Sequence, residues 1–92
     1  MKLATVILYA KWTALPVYAV TFDSDSGSAV TSQSIIQGHK VIKPTDPTKT
    51  DFTFINWYSD PEKTTVWDFD STVSSEKTLY AKWTALPVYT VT

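Results

Sequence analysis

The sequence contains no cysteine and no arginine, one histidine, two glycines and two glutamates. Without cysteine neither a disulfide nor a thiolate metal site can reinforce the chain. With His39 as the sole histidine, no Ser–His–Asp triad and no two-histidine metal site can be assembled. Lysine is the only strong base and the formal net charge is −1. Such a chain has no basic surface to neutralise a phosphate backbone, so nucleic acid is excluded as a partner. No apolar run approaches the ~20 residues of a membrane span, which argues against membrane insertion. Met1–Leu8 offers one lysine and a short apolar stretch, but Thr5 interrupts it. It then runs into Tyr9-Ala10-Lys11-Trp12 with no small-residue cleavage site, so it reads as the start of an excised unit rather than as a leader peptide. Alanine, leucine and glutamate are scarce, while serine and threonine make up about a quarter of the chain. The composition is that of a β protein, small enough to form one domain.

What the chain does have is aromatic bulk and a repeat. Four tryptophans, five tyrosines and four phenylalanines supply the apolar area that cross-links would otherwise replace. Residues 8–21 read LYAKWTALPVYAVT and residues 79–92 read LYAKWTALPVYTVT; they differ only at Ala19 against Thr90. A constant offset of 71 residues with a partial copy at each edge is the signature of one unit taken from a tandem array. Leu15-Pro16 and Leu86-Pro87 are the natural joints, because proline lacks a ladder donor and ends strand pairing. Residues 1–16 are then the tail and linker of a preceding repeat, residues 17–85 one complete repeat, and residues 86–92 a linker with the first-strand start of the next. Thr13-Ala14-Leu15-Pro16 reads as a four-residue linker.

Tyr18, Val20 and Phe22 alternate with Ala19, Thr21 and Asp23 as a half-buried first strand. Asp23–Ser28 is turn chemistry, and Ala29–Gln37, ending at Gly38-His39, reads as a hairpin partner. Asp46-Pro47 could start a single helical turn, with aspartate at the N-cap and proline at N1. Phe52 and Phe54 share a face, and a bulge around Asn56 would bring Trp57 onto it. Leu79, Ala81 and Trp83 face one way on the last strand; Tyr80, Lys82 and Thr84 face the other. The expected core is Val20, Phe22, Val30, Ile35, Val41, Phe52, Phe54, Trp57, Trp67, Phe69, Leu79 and Trp83.

The succession VTFDSDSGS, GHKVIKPTDP, FTFINWY, WDFDSTV and LYAKW resembles the Listeria–Bacteroides repeat, or internalin B-repeat, over about residues 17–84. The resemblance implies a β-rich α+β domain of β-grasp, ubiquitin-like type: a four-stranded mixed sheet with a reduced helical element and parallel first and last strands. It also implies an extracellular place in a bacterial surface, cell-wall or secreted protein, of the kind that serves adhesion and virulence. The family usually has glycine where this chain has Asp51 and Asn56, two residue types that tolerate positive φ.

Sites of other kinds fit less well. Asp23-Ser24-Asp25-Ser26-Gly27 invites a calcium-loop reading, but glycine falls at position five and Ser34 at position twelve, where a bidentate glutamate is needed. Asp68 and Asp70, read as sharing an exposed strand face, flank no cleft for glycoside chemistry. No catalytic, metal or cofactor-binding residue is expected, and the chain is not read as an enzyme. It is read as a structural spacer and protein-interaction module, with neighbouring repeats and a host or bacterial surface protein as partners. The alternative is a glycan-binding module built on its aromatics. Tyr58, Tyr80, Lys82 and Tyr89 are the candidate interaction surface, since alternation turns Tyr80 away from Trp83. The unpaired last-strand copy in residues 6–12 is expected to pair with another molecule, giving self-association.

Overall fold

In a computed structural model, residues 3–91 are described. Four strands form one mixed sheet: β1 (Val17–Asp23), β2 (Gln33–Ile36), β3 (Phe52–Tyr58) and β4 (Lys77–Ala85). Their order is β2-β1-β4-β3. β1 pairs antiparallel with β2 and parallel with β4, and β3 closes against β4 antiparallel. The parallel central pair has a structural consequence. β1 begins at one end of the sheet and β4 finishes at the other, so the chain enters and leaves at opposite poles. From Val17 to Ala85 the shared register spans eleven residue steps, about 36 Å at strand rise.

Alternation builds the buried face. Val20 and Phe22 of β1, Ile35 of β2, Trp57 of β3, and Leu79 and Ala81 of β4 are buried together with Val41 and Val73 from the loops. Tyr18, Val30, Phe54, Trp67, Phe69 and Trp83 pack around them, partly buried. Aromatic edges link three strands: Phe22–Trp57 at 5.0 Å, Phe54–Trp57 at 5.4 Å and Phe54–Trp83 at 5.5 Å between ring centroids. Such offset contacts add about 0.5–1.5 kcal/mol each beyond their burial.

The expected bulge is present. The β3–β4 register passes from Phe54↔Trp83 to Asn56↔Lys82, so Ile55 is the extra residue. The shift restores Trp57 to the core side, and the Asn56 side-chain oxygen accepts the Trp57 N–H at 2.9 Å. Asp51 has positive φ (67°) but Asn56 does not, so only one of the two family glycine positions is left-handed here.

Other expectations need correction. No helix occurs among the described residues. Residues 41–48 run irregularly, because two prolines remove donors and Pro47 is buried without a turn forming on it. β2 is shorter than Ala29–Gln37. Phe52 is not core; it lies at the sheet end, 38% exposed, under the Lys49 ammonium at 4.4 Å from the ring centroid. Asp68 and Asp70 lie in a turn, not on a strand, and the Asp68 carboxylate accepts the Asp70 N–H. β4 does run through Thr84 and ends at Ala85, the expected last residue of the repeat. The expected pairing of residues 6–12 with another molecule is a separate matter: in the single chain they are exposed and carry no strand.

Edges are covered locally. The Gln33 amide donates to the Ile42 carbonyl and accepts the Ile42 N–H, at 2.7 and 3.0 Å, imitating a strand pair beside β2. Beside β3, the Trp67 N–H donates to the Trp57 carbonyl and the Ser59 N–H to the Thr65 carbonyl. Occupied edges resist pairing with other chains.

Candidate functional site

The face of the sheet away from the core is the surface on which three of the four candidate residues meet. Tyr58 and Tyr80 are register partners across β3 and β4, and Asn56 opposes Lys82 two residues on. The Lys82 ammonium stands 5.7 Å from the centroid of the Tyr58 ring, within cation–π range. Tyr58 is nevertheless only 8% exposed. Sequence alternation places it on the outer face, but residues 65–67 run along its strand and Val66 bridges to it, so it is flanked on both sides. Tyr80 is half-buried and Lys82 exposed. Tyr89 lies apart, 81% exposed on the C-terminal flank beyond β4.

The outer face also carries an open concavity of about 470 Å³ whose lining includes Ala19, Thr21, Ser59, Pro61, Thr78 and Tyr80. Ala19 and Thr21 were legible as outward-facing from the burial of Val20 and Phe22. The contribution of Pro61 and Ser59 was not, because it depends on the turn after β3 folding back over the sheet.

The aspartate-rich turn is held by its own groups. The Asp23 carboxylate accepts the Asp25 N–H at 2.9 Å, the Gly27 N–H donates to the Ser24 carbonyl at 3.1 Å, and Asp25 and Ser26 take positive φ. The Asp25 carboxylate pairs with Lys63 at 2.9 Å, whose hydrogen bond and charge hold Asp25 below the usual carboxylate range. Asp60 is likewise depressed, first by the Thr64 hydroxyl and then by the Thr65 N–H, which together fix the turn after β3. Among the described residues no three His, Asp or Glu side chains converge as a metal set.

The tryptophans serve the interior. Trp57 is fully buried, and Trp67 and Trp83 are half-buried against the core. The Trp83 indole N–H donates to the Ser24 carbonyl at 2.8 Å, and its ring fills the space that a side chain on Gly27 would occupy. Trp12 is exposed, but on the N-terminal flank. A stacking platform of tryptophans is therefore absent from the sheet.

Comparison with known proteins agrees with the geometry. The chain matches the Listeria–Bacteroides repeat domain over residues 18–82. It is 34% identical over 86 residues to Internalin H of Listeria monocytogenes, covering 91% of this chain and 15% of that protein. Two proteins of Evansella cellulosilytica are also similar. One, named as a membrane protein, is 43% identical over 79 residues, or 85% of this chain and 12% of its own length. The other, named as a glycine-rich membrane protein, is 42% identical over 87 residues, or 94% of this chain and 10% of its own. The chain thus spans between a tenth and a sixth of these relatives. No helix among the described residues is long and apolar enough to cross a membrane. The matched span runs from the first strand to the last, and on it the chain belongs to the Listeria–Bacteroides repeat family.

Proposed function

We propose that the chain is a spacer and protein-interaction repeat of a bacterial surface or secreted protein, with no catalytic role. The observation that carries this reading is the parallel β1–β4 pair, which sends the chain in at one pole and out at the other. Combined with the 71-residue duplication, that path turns a tandem array into an extended rod. Successive first strands lie fourteen residue steps apart along the axis, about 45 Å per repeat at strand rise. The similarity to Internalin H supports a place on the bacterial surface, and the duplication with its prolines at 16 and 87 supports repeat boundaries at residues 17–85.

We read the sheet as a β-grasp variant in which the irregular 37–50 segment covers the core where a helix would lie. Its parallel outer-chain strands at the centre of the sheet support that reading. Tyr80 and Lys82 on the outer face are the residues through which a partner protein would be recognised. The exposed copy of the last strand in residues 6–12 favours self-association of the fragment.

Small-angle scattering on chains of one, two and three repeats tests the spacer. The expected result is a maximum dimension that grows by about 45 Å for each repeat added. A growth of less than half that would mean that the repeats fold back on one another and that the spacer reading is wrong.

A further inference from the structure

We propose that successive repeats dock pole to pole through an apolar contact centred on the linker leucine, so that the array has no free hinge. The inference rests on the spacer reading and specifies what joins its units. β4 ends at Ala85, and Val88 is the 71-residue counterpart of Val17, where β1 begins. Only Leu86-Pro87 separates the strands of consecutive repeats.

Both linker residues are held. The Leu86 N–H donates to the Asp51 carbonyl at 2.9 Å, tying the leucine to the turn before β3 of its own repeat. The Pro16 carbonyl accepts the Gln37 N–H at 2.9 Å, tying the equivalent proline to the end of β2 in the repeat that follows it. Proline further fixes its own φ near −65°. Leucine clamped to one repeat and proline to the next leaves no unrestrained residue between them. Three Cα steps then hold the two poles within about 11 Å.

The surfaces brought together are apolar on both sides. Where the chain leaves the sheet, Phe52 is the register partner of Ala85, and Phe52 and Leu86 are both exposed. Where it enters, Val17 and Ile36 are register partners, also exposed, and Leu15, the counterpart of Leu86 and so the same linker leucine in an array, stands two residues ahead of Val17. Isolated apolar residues on a surface need no explanation. Here they occur at both ends of a repeating unit whose ends are covalently joined by two clamped residues. The occupant of each pole is the opposite pole of the next copy.

The test is calorimetry on this chain and on a two-repeat chain, made by continuing after Thr92 with residues 22–92. Docking predicts one joint transition with Tm at least about 4 °C above the single repeat, as nearest-neighbour coupling requires. Leu86→Ser in the two-repeat chain should bring Tm back to the single-repeat value, while the same change in the single-repeat chain shifts it by less than about 2 °C. An unchanged Tm on doubling, or an equal effect of Leu86→Ser in both chains, would overturn the docking. Scattering separates this from the spacer. A dimension that grows by about 45 Å with no rise in Tm removes the docking and leaves the spacer intact. A raised Tm with little growth would mean that the repeats couple side by side, and would overturn both the pole-to-pole docking and the extended rod.

Discussion

Residues 8–14 and 79–85 have the same sequence, LYAKWTA, and opposite fates. In the second copy Leu79 and Ala81 are fully buried and the segment is strand between β1 and β3. In the first copy Leu8 and Trp12 are each 88% exposed and the segment carries no secondary structure. Local propensity is identical, so it decides neither outcome. The difference is the presence of two neighbouring strands and an apolar face to cover. β-propensity is a fit to a pleated, half-buried surface, and without that surface the same residues stay open.

The comparison breaks most sharply at the paired leucines. Leu79→Ala should cost about 2–5 kcal/mol of stability, the range for emptying a buried site. Leu8→Ala should change stability by less than about 0.5 kcal/mol. Urea denaturation of both variants checks the pair, and equal costs would mean that the first copy is packed.

A second contrast concerns Trp83 and its copy Trp12. Gly27 lies so close to the Trp83 ring that a Cβ there would collide with it. Gly27→Ala should therefore cost about 1–3 kcal/mol, as overpacking does. Making the same change alongside Trp83→Ala should abolish most of that cost, whereas pairing it with Trp12→Ala should not. A double-mutant cycle reads the difference.

The bulge gives a smaller effect. Asn56 has ordinary φ and accepts the Trp57 N–H, so glycine there gains no left-handed relief and loses a hydrogen bond. Asn56→Gly is expected to destabilise by about 1 kcal/mol. A neutral or stabilising result in thermal unfolding would show that residue 56 is strained.

Acid produces the smallest effect. Lys63 lowers the Asp25 pKa in the folded chain, so this pair stabilises the fold above the unfolded value of about 3.9. The contribution is lost as pH falls through the lower folded value. Asp25 is about half-exposed, which limits the pair to well under about 1 kcal/mol. Lys63→Met should thus cost a few tenths of a kcal/mol at pH 7 and nothing at pH 2. A cost that persists at pH 2 would point to packing by the lysine stem instead.

Much of this was legible in the sequence because it is local or periodic. Alternation marked Val20, Phe22, Leu79 and Ala81, the phase break at Asn56 marked the bulge, and the duplication marked the repeat. What stayed hidden depends on segments far apart in sequence. Tyr58 is buried because residues 65–67 return along β3, and Val73 is core because its backbone pairs with Gly38 and His39. Phe52 has the pattern of a core residue but stands one step past the end of the packed face. The candidate surface was half legible for the same reason. Alternation turned Tyr80 and Lys82 outward, while the covering of Tyr58 and the concavity under Pro61 came from the fold of one turn.

The claim beneath all of this is that residues 17–85 fold as one unit and that the flanking copies belong to neighbouring repeats. Amide hydrogen exchange on the dilute chain tests it directly, because the two LYAKWTA copies report from the same sequence. The account predicts that residues 79–83 exchange only through global unfolding, while residues 8–12 exchange at the rate of an unstructured peptide. Comparable protection of both copies at a concentration where the chain is monomeric would contradict it.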